Sequence, residues 1–251
     1  MSISTKAPPL DAPALGVDLS PRQQFAVMAR ILNQVGYDDG LAGHITVRQP
    51  DDTFLVSPLS IGWDELRASQ VATTDIQGNH LDGPYRINPA TELHFALHRV
   101  RSVQVVIHNH PRWGVAWSAH HRIPPCYDQT SALITGKIAL VDEYDGGVND
   151  PSIAQTNIEA MGDADMAILA NHGVLITADD IQQAVTRART LEIRCRNAWH
   201  VEAMGTGGKE MAPEMVESLG RAFHEFNNGA FPHYFEYMAR ATIKADPSVL
   251  D

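Results

Sequence analysis

Two histidines, His108 and His110, stand one residue apart directly after an almost unbroken apolar run at 103–107. Such a run predicts a strand that is buried on both faces. Side chains two positions apart on a strand point to the same face, so the two imidazoles can share one metal ion. Pro111 then turns the chain away and leaves the pair at the strand end, where sites of α/β proteins often lie. The alternative is two polar residues bonded to backbone or water.

His172 is the third candidate ligand. It belongs to an Asn-His-Gly triplet between two apolar, strand-like segments at 166–169 and 174–176. Gly173 permits a sharp backbone turn, which lets a polar side chain point into a cavity. Three neutral imidazoles leave one coordination position open for water or substrate, as a catalytic metal site requires. Imidazole suits Zn, Mn, Fe, Co and Ni, so the ligand set does not select the metal. Read alone, the triplet is first of all a turn.

The elements that precede these histidines begin with a helix. Ser20 and Pro21 form a helix-start signal, a capping hydroxyl followed by a proline at the first helical position. Apolar residues at helical spacing follow, and Gly36 ends the helix. The segments that then predict strands are 45–47, 54–56 and 71–76.

Helices and strands are mixed without regular alternation in the rest of the chain. A helix at 91–100 leads into the strand that carries the histidine pair. Asp179 or Asp180 caps the clearest helix, and one or two more helices fill 213–244. Further short strands are predicted at 138–141, 167–169 and 174–177. The mixture favours an α/β sandwich with a mixed or mainly antiparallel sheet over a doubly wound fold.

The bulk composition limits the class of protein. The chain has 251 residues, 44% of them apolar, and no linker-like stretch, which predicts a single domain at 19–251 after a flexible tail at 1–18. A net charge of −11 argues against a nucleic-acid partner. The two cysteines, Cys126 and Cys195, fit buried thiols in a reducing compartment. With neither a signal peptide nor an apolar run of membrane-span length, we expect a cytoplasmic protein without a membrane partner.

Several blocks of the sequence, taken in order, resemble the class II aldolase/adducin family. In that family a helix with a His-x-Ala-x-x-Arg-x-Arg pattern runs into a strand that ends in His-Thr-His, and the corresponding blocks are 94–101 and 105–111. The Asn-His-Gly block at 171–173 follows at the spacing of the family's third ligand. The block at 43–48 is similar to the family's Gly-Asn/His-x-Ser-x-Arg. The resemblance covers about residues 20–205.

This resemblance implies a fold, a cofactor and an assembly. The fold is α/β, a three-layer α/β/α sandwich with a mixed, mainly antiparallel central sheet. The cofactor is a divalent metal ion (Zn, Mn, Fe or Co), with His108, His110 and His172 as its ligands. The assembly is a homotetramer with active sites between neighbouring subunits, which act on a small-molecule substrate.

The positions that bind phosphate in the family's aldolases differ in this chain. Those aldolases bind a sugar phosphate through Gly-Asn, a Pro-Ser-Gly turn and a Ser-Ser pair. The corresponding residues here are Gly43-His44, Pro58-Leu59-Ser60 and Ala90-Thr91. Much of the set of hydroxyls and backbone donors that cradles a phosphate is missing, so we expect a non-phosphorylated substrate.

Glu92 is the candidate for the family's catalytic acid or base, because it follows the positions of the Ser-Ser pair. It stands two residues before His94, whereas the family's usual spacing is four. The alternative is a solvated glutamate on the helix surface. Its place in the right block favours the catalytic role.

The other site candidates follow from their positions. Tyr127 and Tyr234 are candidates for the proton-donating tyrosine that a neighbouring subunit supplies in family aldolases, with packing as the alternative for each. Arg112 directly follows the metal strand and either pairs with a substrate carboxylate or lies on the surface. His44, at the phosphate-loop position, is placed to contact substrate instead. Ser57 is a substrate-binding candidate because its segment is similar to the apolar-Ser/Asn-Pro segment of the adducin-like branch.

These residues favour a divalent-metal-dependent carbon–carbon lyase that acts on a small hydroxy-carbonyl or hydroxy-acid compound. The metal would stabilise the charge that develops as the bond breaks. Aldol cleavage and decarboxylation of a hydroxylated aromatic acid both remain open: the altered phosphate positions favour decarboxylation, and a retained glutamate favours aldol chemistry. The alternatives are a non-catalytic adducin-like interaction domain and an iron-dependent oxygenase on the same scaffold.

Overall fold

The structure is a computed structural model that describes residue 15 and residues 18–134, 136–142, 151–227 and 232–251. The tail predicted at 1–18 lies outside the described residues except for Leu15 and Asp18, and Leu15 packs against the main core. Of the helices described, none is both long enough and apolar enough to cross a membrane.

Eight strands form one sheet in the order β4-β3-β2-β1-β5-β8-β7-β6. They are β1 His44–Arg48, β2 Phe54–Val56, β3 Ala72–Thr74, β4 His80–Asp82, β5 Val105–Asn109, β6 Ile138–Val141, β7 Met166–Leu169 and β8 Gly173–Ala178. Every neighbouring pair is antiparallel except β6 and β7, which run parallel. The prediction of a mixed, mainly antiparallel sheet is confirmed.

Helices cover both faces of this sheet. They are α1 Pro21–Gln34, α2 Glu92–Val100, α3 Arg112–Ala119, α4 Gln129–Ala132, α5 Pro151–Met161, α6 Ile181–Ala203, α7 Pro213–Asn227 and α8 Pro232–Ala245. Val105 and Ile107 of β5 join the core beneath α1 and α6, whereas Val106 between them joins a second core beneath α2 and α5. This alternation, which follows from the pleat of a strand, confirms the three-layer α/β/α sandwich.

The helix ends follow the local signals in the sequence. The Ser20 side chain accepts a hydrogen bond from the Gln23 amide, the Gln23 side chain accepts one from the Ser20 amide, and Pro21 occupies the first helical position. Gly36, with φ of 110°, lies just beyond the end of α1. The Asp180 side chain accepts from the Gln183 amide and caps α6.

Some boundaries and elements differ from the sequence prediction. The strand that carries the histidine pair, β5, begins and ends two residues later than the apolar run at 103–107, because its ladder with β8 extends as far as the pair Asn109 and Val174. His108 is therefore inside β5 and not beyond it. The predicted strand at 71–76 shortens to β3. Helix α5 and strand β4 were not predicted from the sequence, and β4 is exposed along its three residues, so it carries no apolar pattern.

Candidate metal centre

The structure brings His108, His110 and His172 together. His108 is on β5, His110 follows that strand, and His172 lies in the turn between β7 and β8. One ring nitrogen from each residue lies within 4.8 Å of those of the other two. The ring centroids are 4.7–4.9 Å apart: 4.9 Å for His108 and His110, 4.7 Å for His108 and His172, and 4.8 Å for His110 and His172.

Two neighbours determine which ring nitrogens are free. His108 Nδ1 donates to the Val174 carbonyl at 2.9 Å, and His110 Nδ1 donates to Asp39 Oδ2 at 2.6 Å. When both rings are neutral, their Nε2 atoms therefore carry lone pairs, and these two atoms face each other at 3.2 Å. Lone pairs at this distance repel unless a proton or a cation lies between them. In tetrahedral zinc sites, Zn–N bonds of about 2.0–2.1 Å separate the nitrogens by roughly 3.4 Å, so the donor set fits a divalent cation.

Burial keeps His108 and His172 neutral. It lowers the pKa of His172 from 6.5 to about 4, and the nearby His110 lowers it further. Burial also lowers the pKa of His108 well below its usual value, with the neighbouring imidazoles adding to the effect. At neutral pH these rings are therefore unprotonated and able to donate lone pairs to a metal.

Close backbone packing holds the turn against the strand end. A Cβ at Gly173 would lie 2.6 Å from the Asn109 carbonyl oxygen and 2.6 Å from His110 Cδ2. A Cβ at Gly43 would lie 2.1 Å from Asn109 Nδ2. Asn171 has φ of 54°, a left-handed conformation that asparagine tolerates better than most residues. The two glycines and this asparagine let three chain segments meet at one point.

Behind the three histidines is a cavity of about 20 Å³, roughly the size of one water molecule. It lies between the sheet and helices α2 and α5, and its lining includes His44, Ala90, His108 and His172. His110 faces the more open side, where 23% of its side chain is exposed. A substrate larger than water must therefore approach from the open side, with only a small group entering the cavity.

Two other predicted residues lie near the cluster. His44 is opposite His108 in the β1–β5 ladder, and their ring centroids are 4.8 Å apart. Ser57 is buried, and its Oγ accepts a hydrogen bond from the Ile45 amide at 3.0 Å. Ser57 therefore anchors the strand that carries His44.

The remaining predicted residues lie away from the cavity within the same chain. Glu92 forms an ion pair with Arg99 on the surface of α2. Arg112 lines a separate surface cavity of about 450 Å³. The Tyr127 hydroxyl donates to Glu202 Oε1 at 3.5 Å. The half-buried Tyr234 packs against the core, with its ring 4.9 Å from the guanidinium carbon of Arg189.

Four residues that support the site were not predicted from the sequence. They are Asp39, Thr46, His94 and His98. Asp39 is hydrogen-bonded to His110, and His94 is hydrogen-bonded to His44. Thr46 and His98 belong to the hydrogen-bonded network behind His44. His94 and His98 belong to the block at 94–101 that resembles the family. Their spacing places both on one face of a helix, and this spacing was the only feature of the sequence that indicated that both side chains face the site. Asp39 lies far from His110 in the chain, so no local pattern links the two.

The fold and this cluster together define an α/β/α sandwich with a three-histidine candidate metal centre. The sequence profile of the Class II Aldolase and Adducin N-terminal domain matches residues 23–199, and the chain belongs to that family. The family is divalent-metal-dependent, and the three histidines form a cluster that could hold the ion.

Similar proteins include enzymes with named activities. The chain is 30% identical over 204 residues to the 4-hydroxy-3-prenylphenylpyruvate oxygenase/4-hydroxy-3-prenylbenzoate synthase of Streptomyces roseochromogenus subsp. oscitans, covering 78% of this chain and 72% of the relative. It is 28% identical over 222 residues to the 3,4-dihydroxyphthalate decarboxylase of Arthrobacter keyseri, covering 82% and 88%. Relatives named as decarboxylases and aldolases support a lyase over a non-catalytic interaction domain.

Solved structures share the fold. An aldolase II superfamily protein from Pseudomonas syringae superposes with a TM-score of 0.81 at 26% identity, covering 93% of this chain and 98% of that one. An L-fuculose 1-phosphate aldolase from Glaciozyma antarctica superposes with a TM-score of 0.78 at 22% identity, covering 92% and 91%. These similarities confirm the predicted fold class.

Proposed function

We propose that this lyase removes a carboxylate from a small, non-phosphorylated, hydroxylated aromatic acid, with His108, His110 and His172 as its metal ligands. The relative named 3,4-dihydroxyphthalate decarboxylase supports this substrate class. So do the altered residues at the family's phosphate-binding positions. Because the imidazole set does not select the ion, Zn, Mn, Fe and Co all remain candidates.

The observation that carries the choice of decarboxylation is the position of Ala90. The order of the blocks places Glu92 after the Ser-Ser positions, but counting back from His94 places Ala90 at the four-residue spacing of the family's catalytic glutamate, and Ala90 lines the cavity beside His108. Glu92, the nearest alternative, forms its ion pair with Arg99 outside the cavity. Among the described residues that line the cavity, none is a carboxylate that could serve as the acid or base on which aldol cleavage depends in this family. This favours decarboxylation, in which CO₂ leaves, the carbon keeps the electron pair and then takes a proton from solvent, so that stabilising this electron pair is the main requirement.

The chain's own residues would prepare the site for this reaction. A bound divalent ion would act as a Lewis acid toward the negative charge left as the C–C bond breaks. Asp39 and the Val174 carbonyl hold the rings of His110 and His108 in the tautomer that presents Nε2. His44 and the small Ala90 leave room for a substrate hydroxyl beside these rings.

We further propose that the enzyme is a cytoplasmic homotetramer with active sites between subunits. A one-water cavity and an exposed edge at His110 leave space for a neighbour to complete the site, with Tyr127, Tyr234 and Arg112 as its candidate contributions. Large apolar side chains are exposed towards the C-terminus, among them Met204, which directly follows α6, at 72% and Met215 of α7 at 52%. Sedimentation velocity tests the assembly, and a fully active monomer would contradict it.

One experiment tests the activity and the site together. Elemental analysis should find about one divalent ion per chain, and the protein should release CO₂ from at least one member of a panel of hydroxybenzoates and dihydroxyphthalates. His108→Ala should lose both the metal and the activity, because it removes a ligand. The control His120→Ala should keep both, because its exposed ring lies at the end of α3.

Three outcomes separate the parts of this proposal. If the metal-loaded protein cleaves aldols and releases no CO₂, the lyase class stands and the decarboxylation assignment is wrong. If the purified protein holds no stoichiometric metal and His108→Ala keeps full activity, the metal site is wrong. If Fe(II) supports oxygen uptake with a phenolic acid, the second candidate, an oxygenase, is supported; the relative with oxygenase in its name favours that test.

A further inference from the structure

Four buried polar side chains form a hydrogen-bonded network behind the metal centre. His44 Nδ1 lies 2.9 Å from His94 Nε2, and His94 Nδ1 lies 3.1 Å from Thr46 Oγ1. The same Thr46 hydroxyl lies 2.8 Å from His98 Nε2. Each of the four side chains is at most 3% exposed. Two come from β1 and two from α2, so strand and helix must be packed together for the network to exist.

A backbone carbonyl gives the network a single direction. His98 Nδ1 lies 3.2 Å from the Val103 carbonyl oxygen, which can only accept, so His98 must carry its proton on Nδ1. Its Nε2 then accepts the hydroxyl proton of Thr46. Since Thr46 has only one proton to donate, it must accept from His94 Nδ1. His94 Nε2 is left as an acceptor, and it takes the proton of His44 Nδ1.

Burial supports neutral rings throughout the network. It lowers the pKa of His98 from 6.5 to about 4, and it lowers the pKa of His94 well below the usual value. Neutral rings have one proton each, so the order of donors and acceptors is unique. His44 then carries its proton on Nδ1 and an unshared lone pair on Nε2.

We infer that the network holds His44 as a hydrogen-bond acceptor for a substrate hydroxyl that enters the small cavity beside His108 and His172. His44 contacts the substrate, and Thr46, His94 and His98 are positioning residues. The identity of the substrate rests on the proposed function. The tautomer of His44, with its proton on Nδ1, does not.

The size of the cavity makes this contact selective. A volume of about 20 Å³ accepts a water molecule or a hydroxyl group and excludes a methoxy group. An acceptor on His44 also repels an ether oxygen, because neither atom has a proton to share. The favoured substrates therefore carry a free hydroxyl next to the group that reaches the metal, as in a 2-hydroxybenzoate. A site built around a substrate hydroxyl discriminates strongly against analogues without one.

The tautomer of His44 can be measured directly. Solid-state ¹⁵N NMR of histidine-labelled protein, recorded with and without Zn(II), distinguishes a protonated Nδ1 from a protonated Nε2, and His44→Gln identifies the signals. We expect His44 to be protonated on Nδ1 with its Nε2 unbound to zinc. Thr46→Val, which removes the hydroxyl, should produce a mixture of tautomers. Thr46→Ser should restore the single form.

A matched control separates this effect from general damage to the core. Thr177→Val also removes a buried threonine hydroxyl, one that donates to the Asp165 carbonyl at 2.9 Å. It should leave the His44 tautomer unchanged. If Thr46→Val does not fold, the wild-type spectrum still decides: a proton on Nε2 of His44, or a bond from that atom to zinc, would overturn the inference.

Binding to the zinc-loaded protein tests the role toward substrate. 2-Hydroxybenzoate should bind at least about tenfold more tightly than 2-methoxybenzoate, and Thr46→Val should erase most of that ratio while Thr46→Ser keeps it. Equal binding of the two acids to the wild type would contradict the hydroxyl contact. If the tautomer and the binding ratio are as expected but no CO₂ is released, the proposed decarboxylation fails and the acceptor role of His44 stands.

Discussion

Glu192 makes the stability of this protein depend on pH. It lies on α6, is buried, and accepts hydrogen bonds from the amides of Trp113 at 2.9 Å and Gly114 at 3.0 Å in the first turn of α3. Burial raises its pKa from 4.5 to about 7, and the two amide hydrogen bonds oppose the rise only in part. We therefore expect the isosteric substitution Glu192→Gln to change how stability varies with pH.

The sign follows from the raised pKa. The folded state binds the proton more tightly than the unfolded state, so the contribution of Glu192 is fully present below about pH 4.5 and is lost as pH rises through 7. A rise from 4.5 to about 7 corresponds to roughly 3 kcal/mol, of which about 2.5 kcal/mol falls between pH 5 and pH 8. Glutamine does not titrate, so the variant should gain about that much on the wild type over this interval.

Chemical denaturation at pH 5, 6, 7 and 8, followed by tryptophan fluorescence at one fixed protein concentration, measures the difference. Glu159→Gln, a substitution of an exposed glutamate on α5, is the control and should track the wild type. A wild-type-to-variant difference that does not vary with pH would refute the reasoning. A difference that moves the opposite way would mean that the two amides outweigh burial.

Three further substitutions test the site and its surroundings. Asp39→Ala should weaken metal affinity about 10- to 100-fold, because it removes the carboxylate that orients His110, and competition with a chelator measures this. Gly43→Ala should lower the melting temperature markedly, since its Cβ would lie 2.1 Å from Asn109 Nδ2. Gly220→Ala should raise stability by about 0.5–1 kcal/mol, because this position on α7 has room for a Cβ, whose nearest neighbours would be the Ala132 and Ile134 carbonyl oxygens at 3.6 Å. Stability of the last variant at or below the wild type would contradict the helix-propensity argument.

Local patterns in the sequence were sufficient for most of the fold. Helix ends and buried strands could be predicted from a few neighbouring residues, because capping motifs and apolar runs are local patterns. Examples are the helix caps at Ser20 and Asp180. The convergence of His172 on the pair at 108–110 came from the family resemblance and not from spacing. The described structure is consistent with that convergence.

The supporting residues could not be predicted because their partners are remote in the chain. Nothing near Asp39 in the sequence indicates His110, and nothing near Glu192 indicates the start of α3. Glu92 shows the opposite difficulty: its position in a recognised block favoured a catalytic role, but its side chain pairs with Arg99 seven residues later on the same helix. Side-chain direction on a helix depends on single-residue shifts that a motif with a changed spacing does not resolve.

Strand β1 has one apolar face and one polar face, and both depend on the same strand register. Ile45 and Val47 face the apolar core while His44 and Thr46 face the imidazoles of α2 and β5. A shift of the strand register by one residue would turn the apolar side chains toward the candidate metal centre and the polar side chains into the hydrophobic core. A chain folded in the wrong register would lose core packing and the site together. The free energy gained by burying Ile45 and Val47 therefore also selects the register that places His44 and Thr46 at the site.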